Sequence, residues 1–188
     1  VGIAVGAASA LFLWLLELAT AYRTSHEALV FALPIAGLAM GLLLQKWGGA
    51  VRRGNNLVID TVHDSKERIP LSVVPWILGG TVLTHLFGGS GGREGAAVQM
   101  GAALADEISR RTRVQPHTRT QLLAAGIAGG FGAVFGTPIA GAIFGLEVVQ
   151  LGRIEYSSLV PALVASVVGD FTVRAMGIHH SLFPKVDA

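Results

Sequence analysis

"GGSGGREGAAVQMG", residues 88–101, places an arginine and a glutamate between glycines, directly after a stretch that holds no Asp, Glu, Lys or Arg. The residues that follow keep a helical pattern to about Arg111. A helix that begins with charge at the end of a long apolar run predicts a start inside a membrane.

The rest of the chain agrees with that reading. Of its 188 residues 52% are hydrophobic and only 14% charged, against roughly 25% charged in soluble domains, and the mean hydropathy is +0.59. Uncharged runs cover residues 28–45, 69–92 and 120–146, each long enough to cross a hydrocarbon core of about 30 Å as a helix. Residues 1–22, interrupted only by Glu17, form a fourth candidate, and 156–169 with its continuation 170–176 a fifth. The first residue is Val, already within an apparent helix, and no signal peptide is visible, so the chain reads as part of a longer protein. The chain has no cysteine, which excludes disulfides and thiolate metal sites.

The pI near 9.4 does not point to nucleic acid. Lys46, Arg52, Arg53, Lys66 and Arg68, then Arg110, Arg111, Arg113 and Arg119, then Arg153 all fall in connections between apolar segments, which leaves Arg23 on the opposite side. That asymmetry is the positive-inside pattern of a membrane protein.

Two interruptions stand out. Residues 71–87 read as a helix, with Pro70 expected in its first turn, and the helix ends in the glycines of 88–92. In "FGTPIAG" the helix over 121–135 breaks at Gly136, Thr137 and Pro138 before resuming over 139–151. Broken helices at membrane depth are tolerated where they line a cavity or are buried in protein, and in transporters they mark binding sites. Gly126 and Gly130, with Gly132 and Gly136, form small-xxx-small frames suited to close helix packing.

A helix N-terminus attracts anions through free N–H groups and the macrodipole. Gly92 and Gly95 leave that backbone uncovered beside Arg93 and Glu94. Glu94 can act as a tethered anion that vacates the site on protonation, or Arg93 and Glu94 can simply pair with other buried groups. Asn55 and Asn56, where "RRGNNLVID" enters a short helix, are either amide donors to an anion or ordinary turn and cap residues.

Together, "GGREGAAVQMGAALAD" and "AAGIAGGFGAVFGTPIAGAIFGLEVV" resemble, in order and spacing, the motifs of the CLC family of voltage-gated chloride channels and proton-coupled chloride exchangers. The resemblance implies an all-α fold of polytopic membrane helices, several broken and only partly spanning: one half of an inverted-repeat pore, with the second repeat missing. It implies a homodimer with one anion path per subunit in a bacterial inner membrane, and a lone repeat of poor stability. It further implies that Glu94 gates and that Gly92, Arg93, Gly95 and Asn55 help to hold the anion. Asn55 stands nearest the serine of the family's Gly-Ser-Gly-Ile-Pro motif, and Ala96 replaces the proline that follows Gly-Arg-Glu-Gly. Family proton exchangers often carry an internal glutamate; Glu147 matches the residue before it, and Val148 occupies its position. That loss suits a channel, or the family's fluoride–proton antiporter branch. That branch typically has methionine at the serine position, so chloride is the default anion and fluoride the alternative, with protons as a possible second substrate and lipid as the surroundings.

Competing chemistries are weaker. Gly88 to Gly92 with Ser90 matches the Gly-x-Ser-x-Gly elbow, and Gly-x-Ser-Gly resembles rhomboid intramembrane proteases, with His85, His179 and His180 as candidate partners. The elbow needs a strand before the serine, whereas a helix is expected here. A relic scaffold without transport is a further alternative. No Lys-Ser/Thr follows the glycines, which excludes a P-loop. Asp60, His63 and Asp64 read as a solvated helix face rather than a metal site, and no motif asks for a cofactor.

Overall fold

A computed structural model of the chain describes residues 1–63, 67–149 and 156–178. Eight α-helices follow one another among the described residues: α1 (Gly2–Ser25), α2 (Leu33–Trp47), α3 (Asn55–His63), α4 (Val73–Leu86), α5 (Arg93–Arg111), α6 (Pro116–Phe135), α7 (Pro138–Val149) and α8 (Leu159–Ala175). Short 3-10 turns lead into α2 (Glu27–Ala32), α3 (Gly49–Arg53) and α8 (Tyr156–Ser158). The all-α class expected from the sequence is what the chain adopts, with no strand among the described residues.

Among the described residues three segments are long and apolar enough to cross a membrane: Gly2–Ser25, Glu27–Trp47 and Tyr156–Ala175. The apolar helices α4 and α7 are too short. α4 has 14 residues and α7 has 12, about 21 and 18 Å at 1.5 Å per residue, against a core of about 30 Å.

The interruptions turn out to be reversals. Ile69 lies beside Asp106, and Val74, Leu78 and Val82 on α4 share one apolar cluster with Ala96, Ala97 and Met100 of α5 and Phe12 and Leu16 of α1. The chain therefore climbs along α4, turns through the glycines and descends antiparallel along α5. The same happens after α6. Gly136 adopts a left-handed conformation (φ 68°) that only glycine takes without strain, and its N–H closes the helix onto Gly132 O at 2.9 Å. α7 then doubles back, so that a methyl group on Gly141 would meet Gly132 N at 2.7 Å and one on Gly145 would meet Ala128 Cβ at 2.8 Å. A break in one continuing span is the simpler expectation for Gly136–Thr137–Pro138, and the left-handed glycine is why the chain turns instead.

α5 and α6 form the centre. A methyl group on Gly101 would lie 2.1 Å from Gly126 O, and one on Gly130 would lie 2.3 Å from Ala97 O. The backbones touch, and dispersion between close backbones replaces the hydrophobic drive that lipid does not supply. Of the small-xxx-small frames, Gly126 and Gly130 face α5, whereas Gly132 faces Ser166 of α8 and Pro138.

Beyond this centre the chain is open. α2 has no buried residue, and Phe31, Ile35, Leu38, Leu42 and Trp47 are all exposed. Ile139 and Ile143 on α7 and Val160, Val164 and Phe171 on α8 are exposed as well.

Basic residues collect at one end. Arg53 donates to Asp60 Oδ2 (2.7 Å) and Glu67 Oε2 (3.0 Å). Arg119 donates from Nε to Asp106 Oδ1 (2.7 Å) and from Nη2 to Glu67 O (2.7 Å). Asp106 is fully buried and also accepts from Ile69 N–H at 2.9 Å. Glu107 pairs with Arg110 and, at 2.7 Å, with Arg111. Arg23 lies apart from this end, against Gly88. Lys66 and Arg153 lie outside the described residues.

Candidate functional site

The α4–α5 reversal delivers the start of α5 to the opposite end of the hairpin from the Asp106–Arg119 pair. Gly92 is its N-cap, in extended conformation, and no side chain caps the first turn. Nothing lies within 4 Å of the position a methyl group on Gly92 would take. The first-turn N–H groups of α5 are therefore open to a ligand, and the helix dipole favours a negative one.

Arg93 and Glu94 are both exposed and form no hydrogen bond or ion pair among the described residues. Glu94 sits in the first turn of α5.

Asn55 comes to the same place from a different element. It opens α3, directly after Gly54 at φ 56°. Its carboxamide flanks the first turn of α5: a methyl group on Gly95 would lie 3.5 Å from Asn55 Nδ2 and 3.7 Å from Asn55 Oδ1. The cap role weighed for Asn55 and Asn56 is not what either performs, since neither side chain makes a hydrogen bond among the described residues. The first residue of the helix proper is past the position from which a side chain caps.

Gln99 was not singled out by the sequence reading. It lies one turn after Gly95, 9% exposed, with its Nε2 3.8 Å from the same missing methyl position. The available signal was a lone carboxamide in the apolar run 96–103, four residues from a glycine and so on the same helix face.

Gly136, Thr137 and Pro138 form the α6–α7 turn, with Thr137 O accepting from Gly141 N–H at 2.8 Å. The antiparallel register that sets Gly101 against Gly126 and Gly130 against Ala97 puts this turn at the same end of the α5–α6 pair as Glu94, with Val134 and Phe135 in one apolar cluster with Ala96 and Ala97. Glu147, exposed, and Val148, half-buried, lie near the end of α7. An open groove of about 600 Å³ between Gly37, Gly41, Gln45 and Arg52 shares no residue with the α5 site.

Among the described residues the protease constellation lacks its framework: Ser90 follows a helix and not the strand that the elbow requires. The His85 ring donates Nδ1–H to Thr81 O at 2.9 Å. His179 and His180 lie outside the described residues, as does Asp64 of the Asp60–His63–Asp64 set. Asp60 is engaged by Arg53, and the His63 ring bonds Ile59 O at 2.8 Å. No group of three metal-ligating side chains occurs among the described residues.

Reversed half-helices and backbones touching at glycine, beside helices long and apolar enough to span, define a polytopic membrane protein built of broken helices. Residues 36–187 match the family model described as "Voltage gated chloride channel", and the chain belongs to that CLC family. It is 50% identical over 181 residues to a "Chloride/fluoride channel protein" of Pseudomonas syringae pv. tomato, covering 96% of this chain and 40% of that protein. It is 36% identical over 114 residues to the "H(+)/Cl(-) exchange transporter ClcA" of Vibrio cholerae, covering 54% of this chain and 24% of that protein. A crystal structure of a CLC-type fluoride/proton antiporter superposes with a TM-score of 0.90 at 37% identity, over 100% of this chain and 48% of that one. The chain thus spans less than half the length of these relatives.

Proposed function

We propose that this chain forms one inverted repeat of a CLC-type halide transporter, in which a dehydrated anion is held at the start of α5 and Glu94 is its protonatable gate. The observation that carries the proposal is the uncapped first turn at Gly92–Gly95, with the free Glu94 carboxylate on it and the Asn55 carboxamide beside it. An unprotonated Glu94 competes with the anion for the same amides, and protonation withdraws the competitor. The amides suit chloride or fluoride. The carboxamide in place of a hydroxyl, and the names of the Pseudomonas relative and of the antiporter, favour fluoride as a second reading. The second repeat supplies the facing half of the path, the transporter works as a homodimer, and the surrounding lipid is that of a bacterial inner membrane.

The test is halide efflux from liposomes holding the full-length protein, with chloride and fluoride compared and internal pH followed. Glu94→Gln is expected to keep anion flux while losing its response to pH. Wild-type protein that moves neither halide under any gradient overturns the transport reading, and a pH response preserved in Glu94→Gln removes Glu94 as the gate.

A further inference from the structure

We infer that the groove along α2 binds an anionic phospholipid, with an acyl chain lying on Gly37, Leu38, Gly41 and Leu42 and the phosphate held by Arg52. The inference stands on the membrane fold and not on the anion site. The open groove, about 600 Å³, is lined by α2 from Gly37 to Gln45 and by Arg52, at the end where the basic residues collect. From Gly37 to Gln45 a helix rises about 12 Å, close to the roughly 15 Å that one leaflet contributes to a core of about 30 Å. Nothing lies within 4 Å of the position a methyl group would take on Gly37 or on Gly41, so the floor of the groove is bare backbone. It is therefore apolar over the depth of one leaflet and cationic at one end.

Two observations set that end at headgroup level and leave its charge open to a ligand. Trp47 is 58% exposed, and Lys46 Nζ stands 4.7 Å from the centre of its ring; an indole beside a cation at the end of a span is an anchor at the membrane–water interface. Arg53 is engaged by Asp60 and Glu67, whereas Arg52 is exposed and makes no hydrogen bond or ion pair among the described residues. A guanidinium presents a planar fork of N–H donors that matches phosphate oxygens two at a time. The occupant that answers both the apolar wall and the open cation is a molecule with a hydrocarbon chain and a phosphate. A headgroup with its own ammonium sets like charge near the guanidinium, so a net negative lipid is preferred.

The experiment titrates the purified full-length protein in detergent with phosphatidylglycerol and with phosphatidylcholine of the same chain length, and reads bound lipid by native mass spectrometry. Phosphatidylglycerol is expected to bind about fivefold more tightly, the worth of one basic residue at an anionic headgroup. Arg52→Gln is expected to abolish that preference and keep phosphatidylcholine binding. Gly41→Leu fills the groove and is expected to weaken both lipids; it carries the test alone should Arg52→Gln fail to elute as a single species. Arg113→Gln removes an exposed charge that does not line the groove, and is expected to keep the preference. Equal affinity of the wild type for the two lipids overturns the proposal. So does an equal loss of preference in Arg113→Gln and Arg52→Gln, which marks a diffuse attraction of acidic lipid to the basic end. Glycerol phosphate binding as tightly as phosphatidylglycerol overturns the role of the groove, and Gly41→Leu without effect on either lipid shows that the second repeat covers α2 instead. The outcome is independent of the Glu94→Gln test, which reads halide flux and not bound lipid.

Discussion

Asn55, Gly95 and Gln99 are individually ordinary residues that the fold brings together. Asn beside Gly is common turn chemistry, and a glutamine in an alanine-rich helix attracts no notice. Their meaning comes from the meeting of α3 with α5 across a missing side chain. Glu94 stands out as a candidate because a carboxylate after an uncharged run is costly, and Asn55 because it follows Gly54 at a helix start; the roles of both belong to the proposed function. At this scale, Asn55→Leu is expected to weaken halide binding to the full-length protein several-fold, since it removes the carboxamide beside the proposed anion site. Calorimetry checks this, and undiminished binding would make Asn55 a bystander. Gly95→Ala is expected to fold normally, since its methyl group would stand 3.5 Å or more from the Asn55 and Gln99 carboxamides; loss of halide-induced stabilisation in that folded variant is the outcome expected if the anion lies against this turn.

Among the elements, α5 begins and ends where the sequence placed it, at Arg93 and Arg111. Glycine and charge marked its start and a cluster of arginines its end. α6 begins at Pro116, five residues before the position expected from hydropathy. Its first turns are polar, and what makes them helical is the reach of Arg119 to buried Asp106 and to Glu67 O, which no local pattern reveals. Pro116 at the first helical position was the signal available. Pro70 lies before α4 and not within its first turn, with its carbonyl accepting from Val73 N–H at 3.0 Å. The Asp106–Arg119 pair ties the start of the α4–α5 hairpin to α6. Arg119→Met is expected to destabilise the full-length protein by about 3–5 kcal/mol, because it leaves a buried carboxylate without its cation. Thermal unfolding reads this, and a melting temperature within a degree of wild type contradicts it. Gly130→Val drives a side chain into Ala97 O and is expected to cost about 1–3 kcal/mol or more through separation of α5 from α6. Gly37→Val on α2, where nothing lies within 4 Å, is the control that should leave stability unchanged.

For the whole molecule, the exposed apolar faces of α2, α7 and α8 have two kinds of cover available, lipid and protein. The 188-residue segment expressed alone is expected to extract from membranes as a polydisperse, protease-sensitive species, whereas the full-length protein elutes as one peak; a monodisperse, protease-resistant segment would show that this half folds independently. The α4–α5 reversal has a further electrical consequence. α4 has 14 residues, about 21 Å at 1.5 Å per residue. If an anion rests at the start of α5 as proposed, and α4 stands along the membrane normal with the ion-paired end at one face, that anion lies about two thirds of the way across a core of about 30 Å, and its occupancy would shift by about 1.5 kcal/mol per 100 mV. On that proposal the glycine turn sets an electrical distance, and membrane potential would help to determine how often the site is filled.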